Sequence, residues 1–194
     1  MTRLAMLRHG PTAWTAEQRI QGHSDVPLSP AGRAEVGGWR LPPEVQSYRV
    51  LVSPLSRARE TAELLGLADA TVEPALAERC WGDWEGMRLP ELRDRYGTDM
   101  VAWEALGLDF RPPNGESPRD LQQRLEPLLA RIAAARRDTL AVCHRGVLRA
   151  VYAPATGWDM RTDPPDKLRD GCLQSFELDA EGRPEVVQLN RRLA

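Results

Sequence analysis

The chain has 194 residues, 42% of them hydrophobic and 28% charged, with a formal net charge of −2 at pH 7. That length supports one domain with a substantial core, and no apolar run in it is long enough to cross a membrane. So small a net charge gives no electrostatic basis for binding nucleic acid or an anionic surface. The positive charge is nearly all arginine, Lys167 being the only lysine, so only arginines placed by the fold bear on function.

In chain order, residues 4–7 read as a buried strand. Ser29-Pro30 supplies an N-cap and a first-turn proline for a helix running to about residue 40. Residues 48–52 predict a second strand. Ser53-Pro54 repeats the cap signal ahead of a helix over 55–65 that stops at Gly66. From about 81 to 113 the rhythm breaks, with short helical pieces near 89–96 and 100–106, which predicts a lid or side subdomain over the sheet's carboxyl edge. Ser117-Pro118, with Asp120 in the acidic place of a capping box, opens a helix. Its Leu121, Leu125, Leu128, Leu129 and Ile132 make one core-facing stripe. Residues 139–143 predict a strand and 147–152 the start of a helix. Strand-like 173–178 and 185–189 flank Ala180-Glu181-Gly182-Arg183, a hairpin signal. Strand and helix take turns for most of the length. A single three-layer α/β/α domain over 1–194 follows, with a mostly parallel central sheet and an antiparallel terminal hairpin.

Cys80, Cys143 and Cys172 are too few and too irregularly spaced for a disulfide framework or a zinc site, and they fit a reducing interior. The first chemically suggestive residue, Arg8, stands so early that no signal peptide is expected ahead of it. The expected location is the cytoplasm.

Two triplets carry the chemistry. Leu4-Ala5-Met6-Leu7 runs into Arg8-His9-Gly10, and Leu140-Ala141-Val142-Cys143 runs into His144-Arg145-Gly146. Ligands of open α/β sheets collect at the carboxyl ends of strands, and two of the three histidines fall there. A neutral imidazole beside a fixed guanidinium suits phosphoryl transfer: the ring attacks and the arginine holds the oxygens. Taken singly, each residue also has an ordinary reading. A strand-end histidine can simply be satisfied by the backbone, Arg57 can be a surface residue of its helix, and Glu78 can be a solvated carboxylate in an irregular stretch. His23 reads as exposed, and Trp81 and Trp84 as packing residues, with the rim of a substrate entrance as the alternative.

The segment Leu7-Arg8-His9-Gly10-Pro11-Thr12-Ala13-Trp14 resembles the signature of the histidine phosphatase superfamily, also called phosphoglycerate-mutase-like. Further matches follow in that family's order. They are Gln21-Gly22 with Asp25-Val26-Pro27-Leu28-Ser29, then Ser53-Pro54-Leu55-Ser56-Arg57-Ala58 with Glu60-Thr61-Ala62. Leu76-Ala77-Glu78 leading into Trp84-Glu85-Gly86, Gly115-Glu116-Ser117 and Val142-Cys143-His144 complete the set. The resemblance spans nearly the whole chain.

It implies that His9 is the nucleophile and becomes phosphohistidine. By the same resemblance Arg8, Arg57 and His144 surround the phosphoryl oxygens, Glu78 protonates the leaving oxygen, and Thr15, Gln21 and Gly22 contribute to substrate binding. Phosphoryl transfer needs mainly positioning and charge stabilisation, which two guanidiniums and an imidazole supply without a metal ion or cofactor. Their positive charge also keeps His9 neutral and able to attack. The implied substrate is a small soluble phosphomonoester such as a sugar phosphate, a phosphoglycerate or a nucleotide-loop phosphate. Neither nucleic acid nor membrane is an implied partner, and a homodimer is left open.

Two departures stand out: Thr15 replaces the family's usual asparagine, and Arg145 follows the second histidine where many members have glycine. Cys143 to Arg149 also has the C-x5-R spacing of cysteine-dependent phosphatases, in which a thiolate attacks phosphorus. That alternative leaves Arg8-His9-Gly10 unexplained. A binding-only domain would be expected to lack one of the reactive groups, and none is missing. The mutase alternative needs groups to grip a substrate carboxylate. In the short interval from Glu78 to His144, the loop-rich part offers only Arg88, Arg93, Arg95 and Arg111. Water is therefore expected to outcompete a second acceptor, which favours the phosphatase branch.

Overall fold

β1, Thr2–Arg8, buries Leu4, Ala5, Met6 and Leu7, the pattern of a central strand covered on both faces. The computed structural model describes residues 1–193. The other strands are β2 (Arg49–Val52), β3 (Thr71–Val72), β4 (Thr139–Cys143), β5 (Cys172–Leu178) and β6 (Pro184–Arg192). They form one sheet in the order β3-β2-β4-β1-β5-β6. β1, β4, β2 and β3 run parallel, and β5 and β6 close the other edge as an antiparallel hairpin. The mixed α/β sheet is the one the alternation predicts.

Among the described residues the sheet is accompanied by seven α-helices: α1 (Ala13–Ala16), α2 (Pro30–Gly38), α3 (Ser56–Leu64), α4 (Leu89–Tyr96), α5 (Thr98–Glu104), α6 (Pro118–Ala135) and α7 (Arg145–Thr156). Successive residues of a strand point to opposite faces, so β1 splits its apolar side chains between two cores. Leu4 and Met6 join the leucine stripe of α6 and the buried face of α7. Ala5 and Leu7 pack against Val45 and Trp39 on the other face, where Val52 and Val142 also meet Ala58 and Ala62 of α3. Ser117 and Asp120 form the expected capping box of α6, with Ser117 Oγ accepting from Asp120 N at 3.1 Å and Asp120 Oδ2 from Ser117 N at 2.7 Å.

The cap expected at Ser53 is not formed. α3 starts at Ser56, and Asp25 serves it from a distant loop, Oδ1 accepting from Ser56 N at 2.7 Å. The Ser53 hydroxyl is drawn elsewhere because its strand end lies against His144. Between β3 and α6, Trp84, Leu92, Met100 and Phe110 form a separate small core.

Candidate active site

Because β1, β4 and β2 are adjacent and parallel, their carboxyl ends fall at one edge of the sheet. His9 N donates to Cys143 O at 2.9 Å and Ser53 N donates to Val142 O at 3.0 Å, which carries the ladder one residue past each strand. His9, His144 and Ser53 are thereby set side by side. The two imidazole centroids are 5.1 Å apart.

Both rings are buried, and each has one nitrogen committed. His9 Nδ1 lies 2.7 Å from Gly10 O; a carbonyl only accepts, so Nδ1 carries the proton and Nε2 keeps its lone pair. His144 Nε2 lies 2.6 Å from Ser53 Oγ. Burial, then the charges of Arg8 and Arg57, hold the His9 pKa well below its ordinary value. Burial, His9 and the same arginines do so for His144. Both imidazoles are neutral at pH 7.

Arg57 is completely buried and donates to Ser24 O at 2.9 Å and Gly22 O at 2.7 Å, which pins the loop after Gln21 to α3. Arg8 pairs with Asp170 at 2.7 Å. Arg8 Nε, Arg57 Nε and His144 Nδ1 are buried and have no hydrogen-bond partner among the described residues. Buried polar groups are rarely left unpaired. Three such groups around a histidine with a free lone pair fit a tetrahedral oxyanion.

Glu78 faces this group from the loop after β3. Its Oε1 accepts from Arg79 N at 2.8 Å, and its Oε2 from Gly146 N in the first turn of α7 at 3.1 Å. A Cβ at residue 146 would collide with the carboxylate, so glycine is required there for this approach. Arg8, His9, Arg57 and Glu78 line one open cavity of about 660 Å³, a size suited to a small metabolite.

A profile of the histidine phosphatase superfamily (branch 1) matches residues 4–192. The chain belongs to this superfamily. It is 33% identical to a 2,3-bisphosphoglycerate-dependent phosphoglycerate mutase of Methylobacterium radiotolerans, over 92% of this chain and 90% of that one. It is 31% identical to the uncharacterized phosphatase PhoE of Bacillus subtilis, over 93% and 91%. The structure of a mycobacterial glucosyl-3-phosphoglycerate phosphatase with VO3 superposes with a TM-score of 0.78 at 27% identity, covering 98% of this chain and 100% of that one. The protein is an enzyme of the histidine phosphatase type.

Other positions singled out from the sequence are sorted by the histidine phosphatase fold. Gln21 and Gly22 line the cavity. Thr15 does not: its hydroxyl accepts from Thr12 N at 3.2 Å and from Gln21 Nε2 at 3.1 Å, closing the turn that starts α1. Trp84 is core, Trp81 lines the cavity, and His23 is exposed with Nε2 2.8 Å from Glu78 O. Arg145 faces the cavity and shares Asp170 with Arg8, also at 2.7 Å. Cys143 is fully buried, and burial raises its thiol pKa far above the ordinary value, which removes the thiolate a cysteine mechanism needs.

Several supporting residues escaped the sequence analysis. Ser53, a cap signal and a motif member in the sequence, has no role assigned there beyond the cap. Glu85 accepts from His23 N, Ser24 N and Ser24 Oγ at 2.6–2.8 Å and so organises the loop that Arg57 grips. Arg124 donates to Glu116 and to the carbonyls of Ala75, Ala77 and Glu78, which fixes the loop carrying Glu78. Ser53, Glu85 and Glu116 left a signal, as members of the ordered motif set, and Arg124 left none. No helix among the described residues is long and apolar enough to cross a membrane.

Proposed function

We propose that the chain hydrolyses small soluble phosphomonoesters through a phosphohistidine on His9. The observation that carries this reading is the neutral His9 with Nε2 free, beside three buried and unpaired N–H groups or ring nitrogens of Arg8, Arg57 and His144. In the first step His9 Nε2 attacks phosphorus, the P–O ester bond breaks, and protonated Glu78 gives its proton to the leaving oxygen. The guanidiniums and His144 hold the equatorial oxygens throughout. Ser53 fits this role for His144: a hydroxyl proton donated to Nε2 leaves Nδ1–H as the donor to phosphate. In the second step Glu78, now ionised, takes a proton from water as it attacks, and the P–N bond breaks. Residues 81–113 act as a side subdomain that supplies part of the cavity wall, including Leu89 and Phe110.

The candidate carboxylate clamps of a mutase are mostly engaged elsewhere, which supports hydrolysis. Arg88 donates to Glu17 O, Arg111 pairs with Asp120, and Arg95 lies over Tyr96. Of the four only Arg93 lines the cavity, and it is paired with Glu104 at 2.8 Å.

His9→Ala is expected to abolish turnover of nitrophenyl phosphate, and rapid mixing of wild type with substrate should trap an acid-labile, alkali-stable phosphoenzyme. A fully active His9→Ala protein ends this reading. Offered 3-phosphoglycerate with a bisphosphoglycerate primer, the enzyme should release inorganic phosphate faster than it forms 2-phosphoglycerate. Isomerisation outrunning release would make it a mutase instead.

A further inference from the structure

The carboxylate of Asp170 lies outside the wall of the main cavity, yet it holds two guanidiniums that line it. Its Oδ2 accepts from Arg8 Nη1 and from Arg145 Nη2, both at 2.7 Å. The Arg8 side chain is only 11% exposed, so little water could replace that partner. A guanidinium presents its donors as forks in one plane, and each fork can take two oxygens. With Nη1 drawn to Asp170, the edge that carries Nε is left for another acceptor, and Arg8 Nε is buried without a partner among the described residues. Arg8 is therefore turned by a residue 162 positions away.

The sheet itself fixes where Asp170 stands. Between the pairs Leu173–Arg191 and Ser175–Gln188, Gln174 of β5 faces two residues of β6, Leu189 and Asn190. This is a β-bulge, a device that re-aims nearby groups and recurs beside active sites. Asn190 has a φ of +58°, in the left-handed region that asparagine tolerates. Its Oδ1 accepts from Arg169 N at 2.7 Å, and its Nδ2 donates to Lys167 O at 3.0 Å. Gln174 is fully buried, accepts from Asn190 N at 2.9 Å and donates to Asn190 Oδ1 at 3.3 Å. The strap over 167–169 is thereby tied to the bulge, and Asp170 is delivered to the start of β5, whose Leu173 pairs with Leu7 of β1. Burial pushes the Asp170 pKa up, but the charges and hydrogen bonds of Arg8 and Arg145 outweigh it and hold the carboxyl below its ordinary value.

We infer that Asp170 is a positioning residue, fixed by the Asn190 bulge, which aims the Nε edge of Arg8 at the phosphoryl oxygens. This rests on the hydrolase reading, since the phosphoryl group is what Arg8 meets. Without the carboxylate, Arg8 and Arg145 repel each other across the gap it fills, and the Arg8 guanidinium is free to turn. A misplacement of about 1 Å in a group that grips the transition state costs on the order of 10²-fold. Arg8 acts on oxygens that stay on phosphorus, so the effect is independent of the leaving group. Any effect that passes through Glu78 depends on it.

The test compares kcat/KM for nitrophenyl phosphate and glycerol 3-phosphate, together with calorimetric binding of orthovanadate, in Asp170→Ala, Asp170→Asn, Asn190→Gly and the double variant Asp170→Ala/Asn190→Gly. Asp170→Ala should lower kcat/KM ~10–100-fold, by the same factor on both substrates, and weaken vanadate binding ~10-fold or more. Asp170→Asn should recover part of each loss, because its amide oxygen still accepts from Nη1. Asn190→Gly keeps the left-handed backbone and removes only the side-chain bonds, so it should produce a smaller loss of the same kind. In the double variant the loss should be no greater than in Asp170→Ala, since both changes break one chain of contacts. A strap that merely packs would lower the melting temperature and leave the kcat/KM and vanadate affinity of the folded enzyme in place. Values for Asp170→Ala within ~2-fold of wild type, a loss confined to glycerol 3-phosphate, or losses that multiply in the double variant each overturn the inference. If Asp170→Ala does not fold, Asp170→Asn and Asn190→Gly carry the same comparison. If wild type turns over no phosphomonoester the hydrolase reading fails, and the change in vanadate affinity alone then decides whether Asp170 positions Arg8.

Discussion

Gly146→Ala is a small change whose effect separates the position of Glu78 from its presence. Residue 146 lies in the first turn of α7 with an ordinary helical backbone, where alanine by itself is favoured over glycine by ~0.5–1 kcal/mol. The added methyl would meet the end of the Glu78 side chain, which can swing away, so the fold should survive. The carboxylate would then leave the Gly146 N–H, one of the two backbone donors that hold it. A shift of ~1 Å in a catalytic group costs on the order of 10²-fold. The loss should fall on the step that needs an acid. With glycerol 3-phosphate, kcat should drop ~100-fold, whereas nitrophenyl phosphate, whose leaving group needs little protonation, should lose less than ~10-fold. Thermal melting should move by only a few degrees either way. Glu78→Gln provides the reference, with ~10²–10⁴-fold loss on the alkyl phosphate. Wild-type activity of Gly146→Ala alongside a crippled Glu78→Gln would refute the argument, as would equal losses on both substrates.

Two further outcomes follow from the buried groups. His9 and His144 have folded pKa values below the unfolded value of ~6.5, so between those limits the unfolded chain binds more protons and stability falls as pH falls. Below pH ~6.5 each histidine should contribute up to ~1.4 kcal/mol of lost stability per pH unit. Asp170 and Glu85, whose pKa values are also lowered, act in the same direction only below about pH 4.5, outside the histidine window. Urea melts at pH 7.5 and 5 check this, and greater stability at pH 5 would contradict it. The same shift means that kcat/KM for nitrophenyl phosphate should show no break near pH 6.5 from protonation of the nucleophile. Cys143→Ser should keep activity within a few-fold and lose ~1–3 kcal/mol of stability, because it places a hydroxyl in a fully buried strand position. A folded Cys143→Ser protein with activity lost by more than ~100-fold would return the cysteine to consideration.

The sequence by itself determined the order of the longer strands and helices, though not the short β3 and α1, together with the cap of α6, the hairpin and the two histidine triplets. These are local features: hydrophobic period, capping residues and turn residues act within a few positions, so they can be read without knowing the fold. It also determined the family, because the motifs recur in one order along the chain. The tertiary structure alone decided what those residues touch. Ser53 and His144 are 91 positions apart, and Asp25 and the α3 start it caps are 31 apart, so no local pattern could pair them. Nothing in the triplet His144-Arg145-Gly146 says which way Arg145 points; α7 starting at that residue and the ion pair with Asp170 decide it. The paired or unpaired state of each arginine is likewise a property of packing. In a chain whose cations are nearly all arginine, composition could not distinguish Arg79, stacked on Trp81 without a carboxylate partner, from Arg111, which is tied to Asp120.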